Sequence, residues 1–100
     1  MEPKIGIGYK VSLCKTRFVV NEDGTSQMDT PIISFVGGVF ESENSATNYL
    51  KQQVIEESAT RSQYKDAFVC AYSGRMFSMK VKNVVVLFTY SVVPISIGIL

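Results

Sequence analysis

The amino-acid sequence predicts an α+β fold: a mainly antiparallel β-sheet of about five to six strands with a single helix inserted mid-chain, in one domain over residues 1–100. Three observations carry this. Apolar residues alternate with a period of two near both ends of the chain. The period changes once, to that of a helix, between Ser45 and Ala59. The last seventeen residues, Val84 to Leu100, are uncharged, and nine of them are Val, Ile or Thr, which favour strands.

The first element is a long strand. Ile5, Ile7, Tyr9, Val11 and Leu13 alternate with Lys4, Gly6, Gly8, Lys10, Ser12 and Cys14, the pattern of a sheet with one face buried. Phe18, Val19 and Val20 are consecutive, which predicts a bulge or bend near Lys15 to Arg17. Asn21-Glu22-Asp23-Gly24 marks a turn, and the polar stretch from Thr25 to Thr30 reads as a loop. Pro31 opens a second extended segment, Ile32 to Phe40, interrupted by a bulge or bend at Gly37-Gly38.

Ser42 or Asn44 caps the helix, with Glu41 and Glu43 at its positive end. Its apolar stripe is Ala46, Tyr49, Leu50 and Val54, with Ile55 at the margin. Glu57 and Arg61 are spaced for an i,i+4 ion pair. Phe68 to Tyr72 and Met76 to Val81 form a hairpin around Ser73-Gly74-Arg75, and Asn83 marks a further turn. Val84 to Val93 is nearly continuous in apolar residues, which predicts a central strand covered on both faces. A break at Pro94 separates it from a last strand, Ile95 to Leu100. One helix covers one face of such a sheet. The other face is wet or covered by another chain.

A chain of 100 residues buries about two-thirds of its unfolded surface, enough for one modest core. The net charge of +1 gives no strong general pull on nucleic acid or membrane. Its distribution is uneven: the first twenty residues and those after Asp66 are basic, while the middle holds Glu22, Asp23, Asp29, Glu41, Glu43, Glu56, Glu57 and Asp66. Cys14 and Cys70 are too few for a disulfide framework. With no secretory signal before them, the expectation is a cytoplasmic protein with both thiols free.

The sequence has no histidine, which removes Ser-His and Cys-His nucleophile pairs and the commonest general base and metal ligand. Gly6-Ile7-Gly8 begins like a dinucleotide fingerprint, but Val11 stands at the last position and no helix follows. Glu56 and Glu57 are adjacent on a helix and diverge by about 100°. Asp29 and Asp66 have no spacing that joins them. No catalytic, cofactor or metal site is read, and the chain is expected not to be an enzyme.

The reading that remains is a small protein-binding or assembly module, in its simplest form a homodimer. The chain ends resemble each other, Ile-Gly-Ile-Gly at Ile5 to Gly8 and Ile-Ser-Ile-Gly-Ile at Ile95 to Ile99. Small residues in strands suit the close approach of another backbone, so Gly6, Gly8, Ser96 and Gly98 are the candidate interface. Such a module would suit a viral or phage-encoded factor acting on a host protein. One alternative is a nucleic-acid-binding sheet using Lys10, Tyr72, Arg75, Lys80 and Lys82. Another is a tail-anchored membrane protein, with Val84 to Leu100 as the tail and Lys80 and Lys82 as its flank. Pro94 and the branched residues oppose a membrane helix.

Overall fold

In chain order the elements are β1 (Lys4–Val20), β2 (Ser26–Met28), β3 (Ile32–Phe40), α1 (Glu43–Ser62), β4 (Ala67–Ser73), β5 (Met76–Val81) and β6 (Val84–Ile99). The computed structural model describes the backbone of residues 4–99 and the side chains of residues 6–97. The six strands form one antiparallel sheet in the order β2-β1-β6-β5-β4, with β3 on the same edge of β1 as β2. The fold is α+β, as the change of period predicts.

The helix lies where expected and is longer, because Glu43 and Asn44 join its first turn and Thr60 to Ser62 its last. Ser42 is the cap: its Oγ accepts from the Ser45 N–H at 3.1 Å. Ala46, Leu50 and Val54 are buried and Tyr49 is half-buried, whereas Ile55 faces solvent. Arg61 meets Glu57 at 3.8 Å. The buried stripe packs on Val11 and Leu13 of β1, Phe77 of β5 and Phe88 and Tyr90 of β6. Phe77 and Phe88 stack with ring centroids 4.5 Å apart.

Four sequence expectations change. The bend at Lys15 to Arg17 is absent: β1 pairs with β6 without a shift from Lys4 opposite Ile99 to Val19 opposite Val84. Phe18 and Val19 simply point to opposite faces of an unbroken pleat. The register shift lies against β3, between Tyr9 and Val11, where Gly37 and Gly38 supply the expected bulge. Gly37 has φ 74°, and a Cβ there would lie 2.8 Å from the Tyr49 ring.

The expected loop after Thr25 contains a three-residue edge strand, β2, whose polar composition carries no periodic signal. Its turn is closed by Asn21 N–H donating to the Thr25 carbonyl at 2.7 Å and by Thr25 donating to Asp23 Oδ1. Those bonds hold the Asp23 carboxyl below its usual range. Arg17 and Asp29 clip the strand with a 2.8 Å ion pair.

Pro94 does not break β6, and it pairs opposite Tyr9. The reason is which way its nitrogen faces. Tyr90 donates its N–H across the β5 side, to the Arg75 carbonyl. Four residues on, Pro94 faces the same side, where β5 has already ended opposite Thr89. Its missing donor therefore falls on an edge with no strand, where proline is tolerated.

Finally, β6 is central, between β1 and β5, but covered on one face only: α1 lies on one side and no described element on the other. Among the described residues, no helix is long and apolar enough to cross a membrane. The uncharged tail is β6, a strand, which corrects the tail-helix alternative.

Candidate assembly interface

The pleat sorts the strand residues between two faces. Val11, Leu13, Phe77, Phe88 and Tyr90 face α1. Their neighbours in sequence face away. Register then places Phe18, Val85 and Lys80 in one row of the open face, and Thr16, Leu87, Ser78 and Cys70 in the next. Further along lie Cys14 with Ile33, and Ser12 with Phe35. Phe68 pairs with Lys80 at the β4 edge. The exposed members are large: Phe68 is 70% accessible, Ile33 69% and Tyr72 61%.

None of the eight acidic residues among the described residues (nine in the sequence, less Glu2) lies in any of the six strands. The open face carries Lys10 and Lys80 and no carboxylate of its own strands. Lys10 Nζ sits 4.9 Å from the centre of the Phe35 ring. Ser78 Oγ donates to Tyr72 Oη at 3.1 Å.

At one end the sheet narrows to a ribbon. β3 reaches no further along β1 than Tyr9, and β5 no further along β6 than Thr89. Residues 4–8 of β1 and 95–99 of β6 therefore pair with each other alone. The ribbon stretches the molecule to 65 × 25 × 18 Å, with a radius of gyration of 17.0 Å. A compact chain of this length has about 13 Å. An isolated two-stranded ribbon is marginal in water, and this one carries the exposed Ile7.

The four proposed interface residues do not share a face. Gly6 and Gly8 pair with Ile97 and Ile95 and lie on the open side. Ser96 pairs with Ile7 on the α1 side, and the backbone of Gly98 pairs with that of Ile5. Each face of the ribbon thus sets a small residue of one strand beside an isoleucine of the other, Gly6 and Gly8 beside Ile97 and Ile95 on one and Ser96 beside Ile7 on the other. Gly8 is buried by its own chain: a Cβ there would meet Ile97 Cδ1 at 2.5 Å and Val39 Cγ1 at 2.7 Å. Gly6 is half-buried and Ser96 exposed, while the surroundings of Gly98 lie outside the described residues.

Of the residues considered for nucleic acid, Lys10, Lys80 and Tyr72 share the open face. Arg75 and Lys82 lie in the turns at either end of β5. Lys82 takes φ 54° in the two-residue turn into β6. Asp29 and Asp66 lie at opposite edges of the sheet, beside β2 and β4, and form no pair. Cys14 and Cys70 are free thiols. Three ladder spacings separate their strands, about 14 Å, twice the reach of a disulfide.

The exposure of Phe35 and Phe68 is not legible in sequence, because alternation reports which residues share a face, and not whether that face is covered. The doubly apolar reading of β6 was the available signal. Comparison with protein-family models, with curated proteins and with solved structures finds no match to this chain.

Proposed function

We propose that the protein is a non-enzymatic assembly module that buries its open sheet face against a second copy of itself. The observation that carries this is β6, a strand apolar on both faces with a cover on one. Val85, Leu87 and Val93 lie on its uncovered side, flanked by exposed Phe68, Tyr72, Ile33 and Phe35. Large contiguous apolar patches on soluble chains mark interaction sites. The molecule is 65 by 25 Å along its two longer axes, room for the roughly 800 Å² per partner of a stable interface. Among homomeric assemblies a twofold dimer is the commonest, and it requires only one self-complementary patch. The ribbon continues the same face through Ile95 and Ile97, so one partner surface can cover both.

Sedimentation of the full chain tests this. The expected result is a dimer at tens of micromolar and a monomer for Phe68→Glu, with the helix and strand signals of the monomer intact. A wild-type monomer at that concentration overturns the proposal.

A second reading keeps one observation in its favour. Lys10 and Lys80 lie among exposed aromatics on a sheet whose strands have no acid, the elements of a single-strand nucleic-acid surface. Two lysines give few phosphate contacts, and the aliphatic Ile33, Val85, Leu87 and Val93 on the same face offer no stacking surface, which is why the protein partner is preferred. Sub-micromolar oligonucleotide binding that falls steeply with salt and is lost in Lys10→Glu with Lys80→Glu would reverse the preference.

A further inference from the structure

On the α1 side, away from the open face, a cleft of about 280 Å³ lies between the last turns of the helix and the sheet. Leu13, Val36 and Phe88 form its apolar wall. Two cations close over that wall. Arg61 Cζ lies 5.0 Å and Lys15 Nζ 5.8 Å from the centre of the Phe88 ring. Glu57 is the one carboxylate in the cleft, and at 3.8 Å from Arg61 Nε it leaves that guanidinium without a close partner bond. The local charge is therefore +1.

The decisive group is Tyr90. Its residue is 2% accessible and lines the cleft. Its hydroxyl makes no hydrogen bond to any described residue, unlike that of Tyr72, which accepts from Ser78. Burial, followed by the charge of Glu57, pushes the phenol up to about 12. It therefore remains a protonated donor across the physiological range, and because no unpartnered side-chain oxygen among the described residues is sealed from solvent, the hydroxyl is open to an acceptor that enters the cleft. Ser34 and Gln53 bring further donors to the same cleft.

We propose that this cleft binds a small organic monocarboxylate, its head between Lys15, Arg61 and the Tyr90 hydroxyl and its short apolar body against Phe88, Leu13 and Val36. The excess of one positive charge matches one carboxylate and undercompensates a phosphate dianion. The volume lies just under the roughly 300–1,000 Å³ of small-molecule sites, which suits a short-chain or single-ring acid. The site is independent of the assembly reading, since it opens on the other side of the sheet.

The test is amide-shift titration of the isotope-labelled full chain with benzoate, acetate and inorganic phosphate at constant ionic strength. Benzoate is expected to saturate at a Kd of about a millimolar or below, moving Lys15, Arg61, Phe88 and Tyr90. Acetate should bind the same residues more weakly, because it leaves the apolar wall bare. Tyr90→Phe keeps the ring and removes the donor. It should weaken benzoate about tenfold, the loss expected for one hydrogen bond to a charged group, and Arg61→Gln should do at least as much. Phosphate binding as tightly as benzoate would mean an adventitious ion only and would overturn the proposal. An unchanged Kd in Tyr90→Phe, or shifts that stay linear in benzoate, would do the same.

Discussion

Phe77 and Phe68 lie on adjacent strands of one sheet, and their environments are opposite. Phe77 is fully buried, stacked on Phe88 on the helix-facing side, while Phe68 is 70% accessible on the other face. The difference is not one of residue type or of strand propensity. It follows from where the one helix lies. Burial in this molecule is decided by cover, and the apolar content of the strands exceeds what a single helix covers. The α1 side has the character of a finished core, and the open side that of a core lacking its second layer.

The contrast is broken most severely from the finished side. Phe77→Ala removes a fully buried ring that contacts Phe88 and Tyr90. The expected loss is about 3–5 kcal/mol, a large part of the roughly 5–15 kcal/mol total of a domain. Urea denaturation followed by circular dichroism should show the midpoint falling or the transition vanishing. A shift under about 1 kcal/mol would mean that this side is not the stabilising core.

The ribbon gives the next largest effect. Gly8→Val introduces branched atoms where Ile97 and Val39 already stand, and overpacking of this kind costs about 1–3 kcal/mol. The expected outcome is a destabilised monomer and not a cleanly dissociated dimer, because the space at Gly8 is used within the chain. Hydrogen exchange should quicken first at residues 4–9 and 94–99. Exchange unchanged there, with dissociation of a dimer, would return Gly8 to the intermolecular contact.

How much of this was legible in sequence differs by element. The helix was readable because its cap, apolar stripe and ion pair all agree. The long strands were readable because period-two alternation has no competing pattern. Continuity through Pro94 was not readable, since whether a missing N–H matters depends on which neighbour lies beside it, and that is a property of the sheet. The same holds for β2, which pairs by backbone bonds that leave no mark on side-chain pattern. For the candidate site, the alternating Ile and Gly of the chain ends pointed to the ribbon. They did not show that Gly6 and Ser96 fall on opposite faces, because the register between the two strands was unknown. The carboxylate cleft was invisible: Lys15, Arg61 and Tyr90 are far apart in sequence and meet through the fold.

A smaller effect comes from the helix that covers the finished side. Ser42→Ala removes the acceptor of the Ser45 N–H, worth about 1 kcal/mol. Because α1 is the sole cover among the described residues, fraying its first turn should expose Tyr49 and Phe40, whose rings are 5.0 Å apart. The expected result is a thermal midpoint several degrees lower with the fold otherwise unchanged, measured by near-ultraviolet circular dichroism. An unchanged midpoint would mean that Ser45 finds an equivalent acceptor in water.

The smallest effect on folding is expected from Phe68→Glu, and it is the most informative for the comparison. The side chain is already mostly in water and opposes Lys80 across the β4–β5 ladder. In the monomer its replacement should change stability by less than about 0.5 kcal/mol, as at other exposed sites, and a carboxylate beside Lys80 adds a weak favourable pair. In a dimer the same carboxylate would be carried into an apolar interface, where an unpaired charge is strongly unfavourable. Denaturation should therefore become independent of protein concentration in the variant, while the wild type gains stability with concentration, as linkage to association requires. If wild type and variant unfold at the same midpoint at every concentration, the open face is wet in solution and the apolar excess of β6 has another cause. If the variant fails to fold even when dilute, Phe68 belongs to a core, and the two faces of the sheet are less different than their exposures indicate.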